Sequence, residues 1–376
     1  MAVQSEQRWY APANACEFDS PCLLFFPERI RENIRRIIAR VDNDCDRLRL
    51  HIKTHKCREI IELALAAGIR KFKCATIAEA ELLASTRAGD ILLGYSVVGP
   101  KADRFVRLAA NYASKRWLVT ADDEQAIRHI SDRADGAKLP QPIEVLLDLD
   151  TGMHRSGIAP ANRAHELYRL LADLPGIAPG GLQVYDGHRK QRDFDERARG
   201  VAADMAAVDE FRGGLTEKGL PVPRVVVGGT PTFPVHAQRP DLECSPGTCV
   251  LWDTGYEEKL PELDFLHAAV LMTRVISRPT ADRLCLDLGY KAVASDNPDP
   301  RVRLFEIPDA KAVIHNEEHL TVVSEAAAQF EVGDILYGVP YHICPTVALH
   351  QQAYVVTDGR ICDVWSIAAR DRQLTF

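Results

Sequence analysis

No run in this 376-residue chain approaches the ~18 apolar residues of a membrane-spanning helix, and its first twenty residues show no basic stretch followed by an apolar one. A soluble, cytoplasmic protein is the expectation. No Lys/Arg-rich run accompanies the net charge of -7, which removes the electrostatic footprint for nucleic acid or an anionic membrane. The ten cysteines include no C-x-x-C pair. A zinc ribbon or dithiol redox motif is therefore excluded, and reduced thiols or metal ligands are expected instead. Neither G-x-x-x-x-G-K-[ST] nor G-x-G-x-x-G occurs, so no nucleotide fingerprint is present, and there is no repeat of fixed period. What is there, 46% hydrophobic and 26% charged residues, is ordinary globular usage that suits small-molecule chemistry.

The length suits a barrel of about 250 residues with a smaller companion. Between about residues 26 and 250, short apolar runs alternate with helical patterns, the signature of βα units and a parallel sheet. Strands are predicted at 48–52, 72–75, 91–94, 117–119, 145–148, 182–185, 225–228 and 244–248. Eight such units close into a (β/α)8 barrel over residues 26–260. In the first helical stretch Ile30, Ile34, Ile37 and Ile38 fall on one face. After residue 260 the texture becomes β-branched and aromatic runs at 265–276, 283–288, 319–323, 334–339, 353–357 and 361–365. They predict a C-terminal β-rich domain, with Asp358-Gly359 as a hairpin turn and 254–261 as the linker.

The segment Arg49-Leu50-His51-Ile52-Lys53-Thr54-His55-Lys56 ends the first barrel strand with a lysine between histidines, on the side where active sites of this fold sit. From position alone a solvated or ion-paired lysine is the more ordinary reading. Together with Pro21-Cys22-Leu23-Leu24, the segment resembles fold-type III pyridoxal-phosphate (PLP) enzymes, specifically the D-threonine aldolase and D-serine dehydratase group. The likeness spans nearly the whole chain. It implies an alanine racemase-like barrel whose cofactor is bonded to Lys53, and it implies that residues 1–25 join 261–376 in the β domain. PLP needs an amine whose pKa is lowered by burial or a cationic neighbour, and His51, His55 and Lys56 are candidates.

After the fifth strand, Asp148-Leu149-Asp150-Thr151-Gly152-Met153-His154-Arg155-Ser156-Gly157 is similar to the D-x-G-x-x-R-x-G segment of alanine racemases and their relatives. That likeness brings Arg155 to the cofactor, while the residues themselves also allow a plain pairing with Asp148 or Asp150. Gln183-Val184-Tyr185-Asp186-Gly187-His188 resembles a Q-x-Y-x-G-H pattern of the aldolase branch, which implies that Tyr185 contacts the cofactor. His188 is the candidate general base, imidazole being the group most easily poised near neutrality. Strands seven and eight end in Gly228-Gly229-Thr230-Pro231-Thr232 and Ser245-Pro246-Gly247-Thr248, the two loops that commonly hold phosphate in barrels. Gly229, Thr230, Gly247 and Thr248 are assigned to the cofactor phosphate.

In Tyr341-His342-Ile343-Cys344-Pro345, His342 and Cys344 would share a face if the segment were extended. Imidazole plus thiolate suits a divalent ion such as zinc, with manganese or magnesium as other candidates, and leaves positions open. The family's metal segment is H-x-D in many D-threonine aldolases and H-x-C in D-serine dehydratases, and this chain has the cysteine. Glu318-His319 also resembles a segment shared by the family.

The resemblance implies a PLP- and metal-dependent aldolase that cleaves D-configured β-hydroxy amino acids to glycine and an aldehyde. The alternative is a D-serine or D-threonine dehydratase releasing a keto acid and ammonia. A non-catalytic PLP-binding protein of the same barrel type would lack the β domain, and a cofactor-free metal hydrolase would leave Lys53 and the two Gly-Thr loops without a role. Family members of this plan pair head to tail, so a homodimer with its active site at the subunit interface is expected, with a small D-amino acid as substrate.

Overall fold

The computed structural model describes residues 8–376. The first seven residues, part of the 1–25 segment assigned to the β domain, lie outside the described residues. The chain divides into two compact units. Among the described residues, one comprises 8–33, Thr54–Cys57 and Val250–Arg370, and the other Ile34–Lys53, Arg58–Cys249 and Asp371–Phe376.

The chain opens with strand β1 (Cys22–Phe25) and helix α1 (Pro27–Ala39), then runs through β2 (Arg49–His51), α2 (Arg58–Ala66), β3 (Lys71–Cys74), α3 (Ile77–Ala84), β4 (Asp90–Leu93), α4 (Pro100–Asn111) and β5 (Arg116–Ala121). It continues with α5 (Glu124–Ala137), β6 (Ile143–Leu149), α6 (Asn162–Asp173), β7 (Ile177–Val184), α7 (Phe194–Glu217), β8 (Val225–Val227), α8 (Phe233–His236) and β9 (Glu243–Cys244). Strands β2 to β9 form one all-parallel sheet in chain order, and a parallel bridge between Leu48 and Cys244 brings its ends together. All eight predicted barrel strands are present, the last reduced to two residues.

Because side chains alternate along a strand, every second residue enters the barrel. Three layers result. The lowest is charged: Arg49 is bonded to Asp90 at 2.5 Å and to Glu243 at 2.9 Å, Lys71 reaches Glu243 at 3.0 Å, and Arg116 and Arg224 both bond Glu144. Above it Leu92, Leu118, Leu146 and Val226 form a dry layer. Asp148 stands two residues past Leu146 on β6, in register with Gln183, and Lys73, two past Lys71 on β3 and in register with Leu92, reaches Gln183 with its ammonium. The floor of the candidate site is thus set by strand parity.

The other unit holds a nine-stranded mixed sheet. Its strands are β1, β10 (Ala269–Thr280), β11 (Arg283–Leu286), β12 (Val302–Leu304), β13 (Lys311–His315), β14 (Leu320–Val323), β15 (Ile335–Pro340), β16 (Gln352–Thr357) and β17 (Arg360–Ser366). β1 pairs antiparallel with β10 and parallel with β16. The β16–β17 hairpin turns at Asp358 and Gly359, both at positive φ (49° and 70°), a conformation that Asp tolerates and Gly adopts freely. Three features differ from the sequence reading. β12 and β13 were not anticipated. The expected linker at 254–261 contains helix α9 (Thr254–Lys259), because Asp253 caps it by accepting the Tyr256 amide at 2.9 Å. Lastly, Cys344 lies in the first turn of helix α10 (Ile343–Leu349) and not in an extended segment. Asp253 also accepts the Ile343 amide at 3.0 Å, and Pro345 is tolerated in a first turn, where its missing N–H is not needed.

No helix among the described residues is long and apolar enough to cross a membrane.

Candidate active site

Lys53 stands in a short 3-10 turn, Ile52–Thr54, directly after β2, and its amide donates to His51 Nδ1 at 3.3 Å. Its ammonium lies 6.0 Å from the centre of the Tyr185 ring, and the Arg155 guanidinium lies 4.5 Å from that same centre. Three predicted residues therefore meet around one aromatic ring. Arg155 leaves both aspartates to other partners: Asp150 accepts the amides of Gly152 and His154 and bonds the His154 ring, and Asp148 accepts the Ser156 hydroxyl.

The loops after β8 and β9 also meet. The amides of Gly247 and Thr248 both point at Thr230 Oγ1, at 3.4 and 3.2 Å, and Thr248 opens a 3-10 turn. Nearby in the chain, the buried Ser245 hydroxyl has no hydrogen-bond partner among the described residues. The two amides converge on one hydroxyl beside a buried hydroxyl without a partner, and backbone and hydroxyl donors of this kind suit a phosphate. Gly229 borders the Tyr185 ring, 3.3 Å from where its Cβ would stand. Gly228 holds the loop's sharp turn at φ +65°, where a Cβ would come within 2.7 Å of Thr232 Oγ1. Beneath, buried Asp186 accepts the Thr232 hydroxyl at 2.8 Å and bonds His236 Nε2 at 2.7 Å, pinning that loop to the Tyr185 segment.

His188 lies half-buried with Nε2 3.1 Å from Asp204 Oδ2, while Asp204 also pairs with Arg189 through two contacts. The approach is close but is not an aligned hydrogen bond: neither ring nitrogen has a hydrogen-bond partner among the described residues. The ring faces Gly152 of the Arg155 loop, where a Cβ would stand 3.1 Å from Nε2.

The sequence reading missed Lys73. It is buried, and its ammonium donates to Gln183 Oε1 at 2.9 Å. Burial pulls its pKa down from 10.5 to about 7, against the attraction of Asp148 and helped by the charges of Lys53, Arg49 and Arg155. Burial likewise raises Asp148 to about 6, against the pull of Lys73. The two groups share a tendency to neutrality and titrate together. The available signal was parity: Lys71 and Lys73 both fall on the interior side of a buried strand. Asp204 gave no such signal, because its partner is on another element.

In the other unit, His342 Nδ1 is 2.5 Å from Asp296 Oδ2, and the His342 ring also hydrogen-bonds Cys344. Burial opposes the charged ring, but Cys344 and Asp296 outweigh it and raise His342 to about 9. Thr54 Oγ1 is 3.1 Å from Cys344 Sγ. Imidazole and thiol therefore face each other through a helix turn. No group of three or more His, Cys, Asp and Glu among the described residues is arranged to hold a metal. An imidazole beside a thiol is a donor pair of the type that zinc takes, one ligand short of the three of a complete catalytic site. Glu318 and His319 lie exposed, Glu318 paired with Lys291 at 3.0 Å.

An eight-stranded parallel barrel joined to a separate mixed sheet is the arrangement of the alanine racemase-like class. The family model for the alanine racemase N-terminal domain matches residues 27–253, and the putative serine dehydratase domain matches 268–356. The chain belongs to the D-threonine aldolase and D-serine dehydratase-like family of fold-type III PLP-dependent enzymes. It is 29% identical to D-threonine aldolase from Arthrobacter sp, over 94% of this chain and 93% of that one. It is 26% identical to D-threo-3-hydroxyaspartate dehydratase from Delftia sp. (strain HT23), over 88% and 92%. The crystal structure of D-threonine aldolase from Filomicrobium marinum superposes with a TM-score of 0.87 at 26% identity, covering 98% of this chain and 99% of that one. The protein is a PLP-dependent lyase of D-amino acids, of a class that uses PLP and a divalent metal ion.

Proposed function

We propose that the chain is a PLP- and divalent-metal-dependent aldolase that cleaves D-threonine-like β-hydroxy amino acids to glycine and an aldehyde. The observation that carries this reading is His188, 3.1 Å from Asp204 through Nε2 and with neither buried ring nitrogen hydrogen-bonded among the described residues, an imidazole that the protein leaves to a substrate hydroxyl. Lys53 would hold PLP, and the Gly247 and Thr248 amides with the Thr230 and Ser245 hydroxyls would hold its phosphate. Bound PLP supplies an electron sink for charge developing at Cα. A divalent ion, which His342 and Cys344 would hold, would supply Lewis acidity toward a β-hydroxyl. The chain's own part is to fix these groups and move protons. Arg155 and Tyr185 wall the site beside Lys53. His188 accepts the β-hydroxyl proton on Nδ1, and Asp204 stabilises the imidazolium that forms.

Cys344 favours a second reading, because H-x-C is the dehydratase form of the metal segment. One assay separates the two. Incubated with D-threonine and with D-serine, with and without chelator, an aldolase yields glycine and aldehyde in a chelator-sensitive way. A keto acid and ammonia in place of glycine would establish the dehydratase.

The reading extends to a cytoplasmic homodimer with its active site at the subunit interface. The ten cysteines are all free thiols, which suits a reducing compartment.

A further inference from the structure

The carboxylate at Asp296 has no role in the chemistry above, yet it makes one of the short polar contacts of the sheet unit, 2.5 Å to Nδ1 of His342. A histidine ring can present either nitrogen, and which one is free is set by the bond the other makes. Here Nδ1 is engaged by Asp296, so Nε2 is the nitrogen left to a metal ion, which takes the place of its proton. The other donor is held too: Thr54 Oγ1 lies 3.1 Å from Cys344 Sγ, and its hydroxyl can donate once the thiol is ionised. His342 and Asp296 are both partly exposed, with side-chain exposures of 37% and 46%, so packing alone does not immobilise the ring. Its polar contacts do so, with Asp296 on the Nδ1 side and Cys344.

We propose that Asp296 is the positioning residue of the divalent-metal site: it fixes the His342 tautomer and ring direction so that Nε2 faces Cys344, and it is not itself a ligand. Two observations support the distinction. Asp296 is bonded on the Nδ1 side of the ring, away from the nitrogen that would bind the ion. It also does not form, with His342 and Cys344, a three-ligand group. A carboxylate behind a ligating histidine makes the ring more basic and orders it before the ion arrives, and losing such a partner typically costs 10–100-fold in metal affinity.

This inference rests on the His342–Cys344 reading, and the experiment keeps the two failures apart. The full-length, PLP-loaded protein is stripped of divalent ions, and Zn2+ affinity is measured by competition with a chromophoric chelator. Co2+ loading serves as a second readout through its thiolate charge-transfer band. Asp296→Asn should weaken Zn2+ binding about 10–100-fold while the cobalt–thiolate band persists, because Cys344 still ligates. Asp296→Glu should recover part of the loss. Far-UV circular dichroism and the melting temperature of the metal-free variants should match the parent. Unchanged Zn2+ affinity in Asp296→Asn would overturn the positioning role. Loss as complete as in His342→Ala, in both Asp296→Asn and Asp296→Ala, would make Asp296 a ligand and also overturn it. If His342→Ala and Cys344→Ser bind Zn2+ as tightly as the parent, the metal reading itself fails.

Discussion

At the scale of single residues, the least expected group is Lys73, a buried ammonium bonded to an amide oxygen. Its folded-state pKa lies below the ordinary 10.5, at about 7, so the folded protein releases a proton that the unfolded chain keeps. The sign follows from linkage: this group costs stability at low pH, and the cost fades as pH rises from about 7 toward 10.5. Lys73→Met should therefore stabilise the cofactor-free protein below pH 7, by on the order of 1–3 kcal/mol, and should flatten the rise in stability between pH 7 and 10. Urea titrations across that range check it, and an unchanged slope would contradict it. For His188, replacement by Ala should lower turnover by about 10²–10⁴-fold with little change in substrate affinity, as removal of a general base does. Asp204→Asn should lower it less. Single-turnover rates with D-threonine give both numbers. His188 was legible in the sequence as part of a Tyr-x-Gly-His pattern. Asp204 and Lys73 were not, because a buried partner is chosen by tertiary packing: Lys73 and Gln183 are 110 residues apart.

The elements explain why the barrel could be read and the sheet unit only in part. Strands β2 to β9 are buried on both faces, so they appear as apolar runs between helical patterns, and that repetition reveals eight of them. The same periodicity hides the charged layer, since Arg49, Lys71, Asp90, Arg116 and Glu144 each read as a polar residue at a strand start. Together they close the bottom of the barrel. Arg49 is fully buried between Asp90 and Glu243, and Arg49→Met would leave both carboxylates short of a partner. A loss of about 3–5 kcal/mol is expected, the usual result of removing one member of a buried ion pair. An unchanged urea midpoint would show that Lys71, Arg116 and Arg224 compensate. β12 and β13 went unread for a different reason. β13 is largely exposed and β12 is three residues long, so neither carries the alternating apolar pattern from which a strand is recognised.

At the scale of the whole molecule, the chain returns to one sheet from both ends: β1 lies between β10 and β16, more than 240 residues away. The homodimer reading makes a direct prediction, that light scattering on the purified protein gives twice the chain mass at micromolar concentration and that the mass does not depend on metal. A monomer retaining full turnover would contradict an active site completed by a second subunit. The central claim, however, is covalent. Two lysines stand at this barrel mouth, Lys53 at the end of the first strand and Lys73 inside it, and the account gives PLP to Lys53 alone. Borohydride reduction of the purified yellow protein, followed by proteolysis and mass mapping, should place one pyridoxyl group on Lys53 and none on the Lys73 peptide. A label on Lys73, or a protein that takes up no PLP at all, would contradict the account at its base.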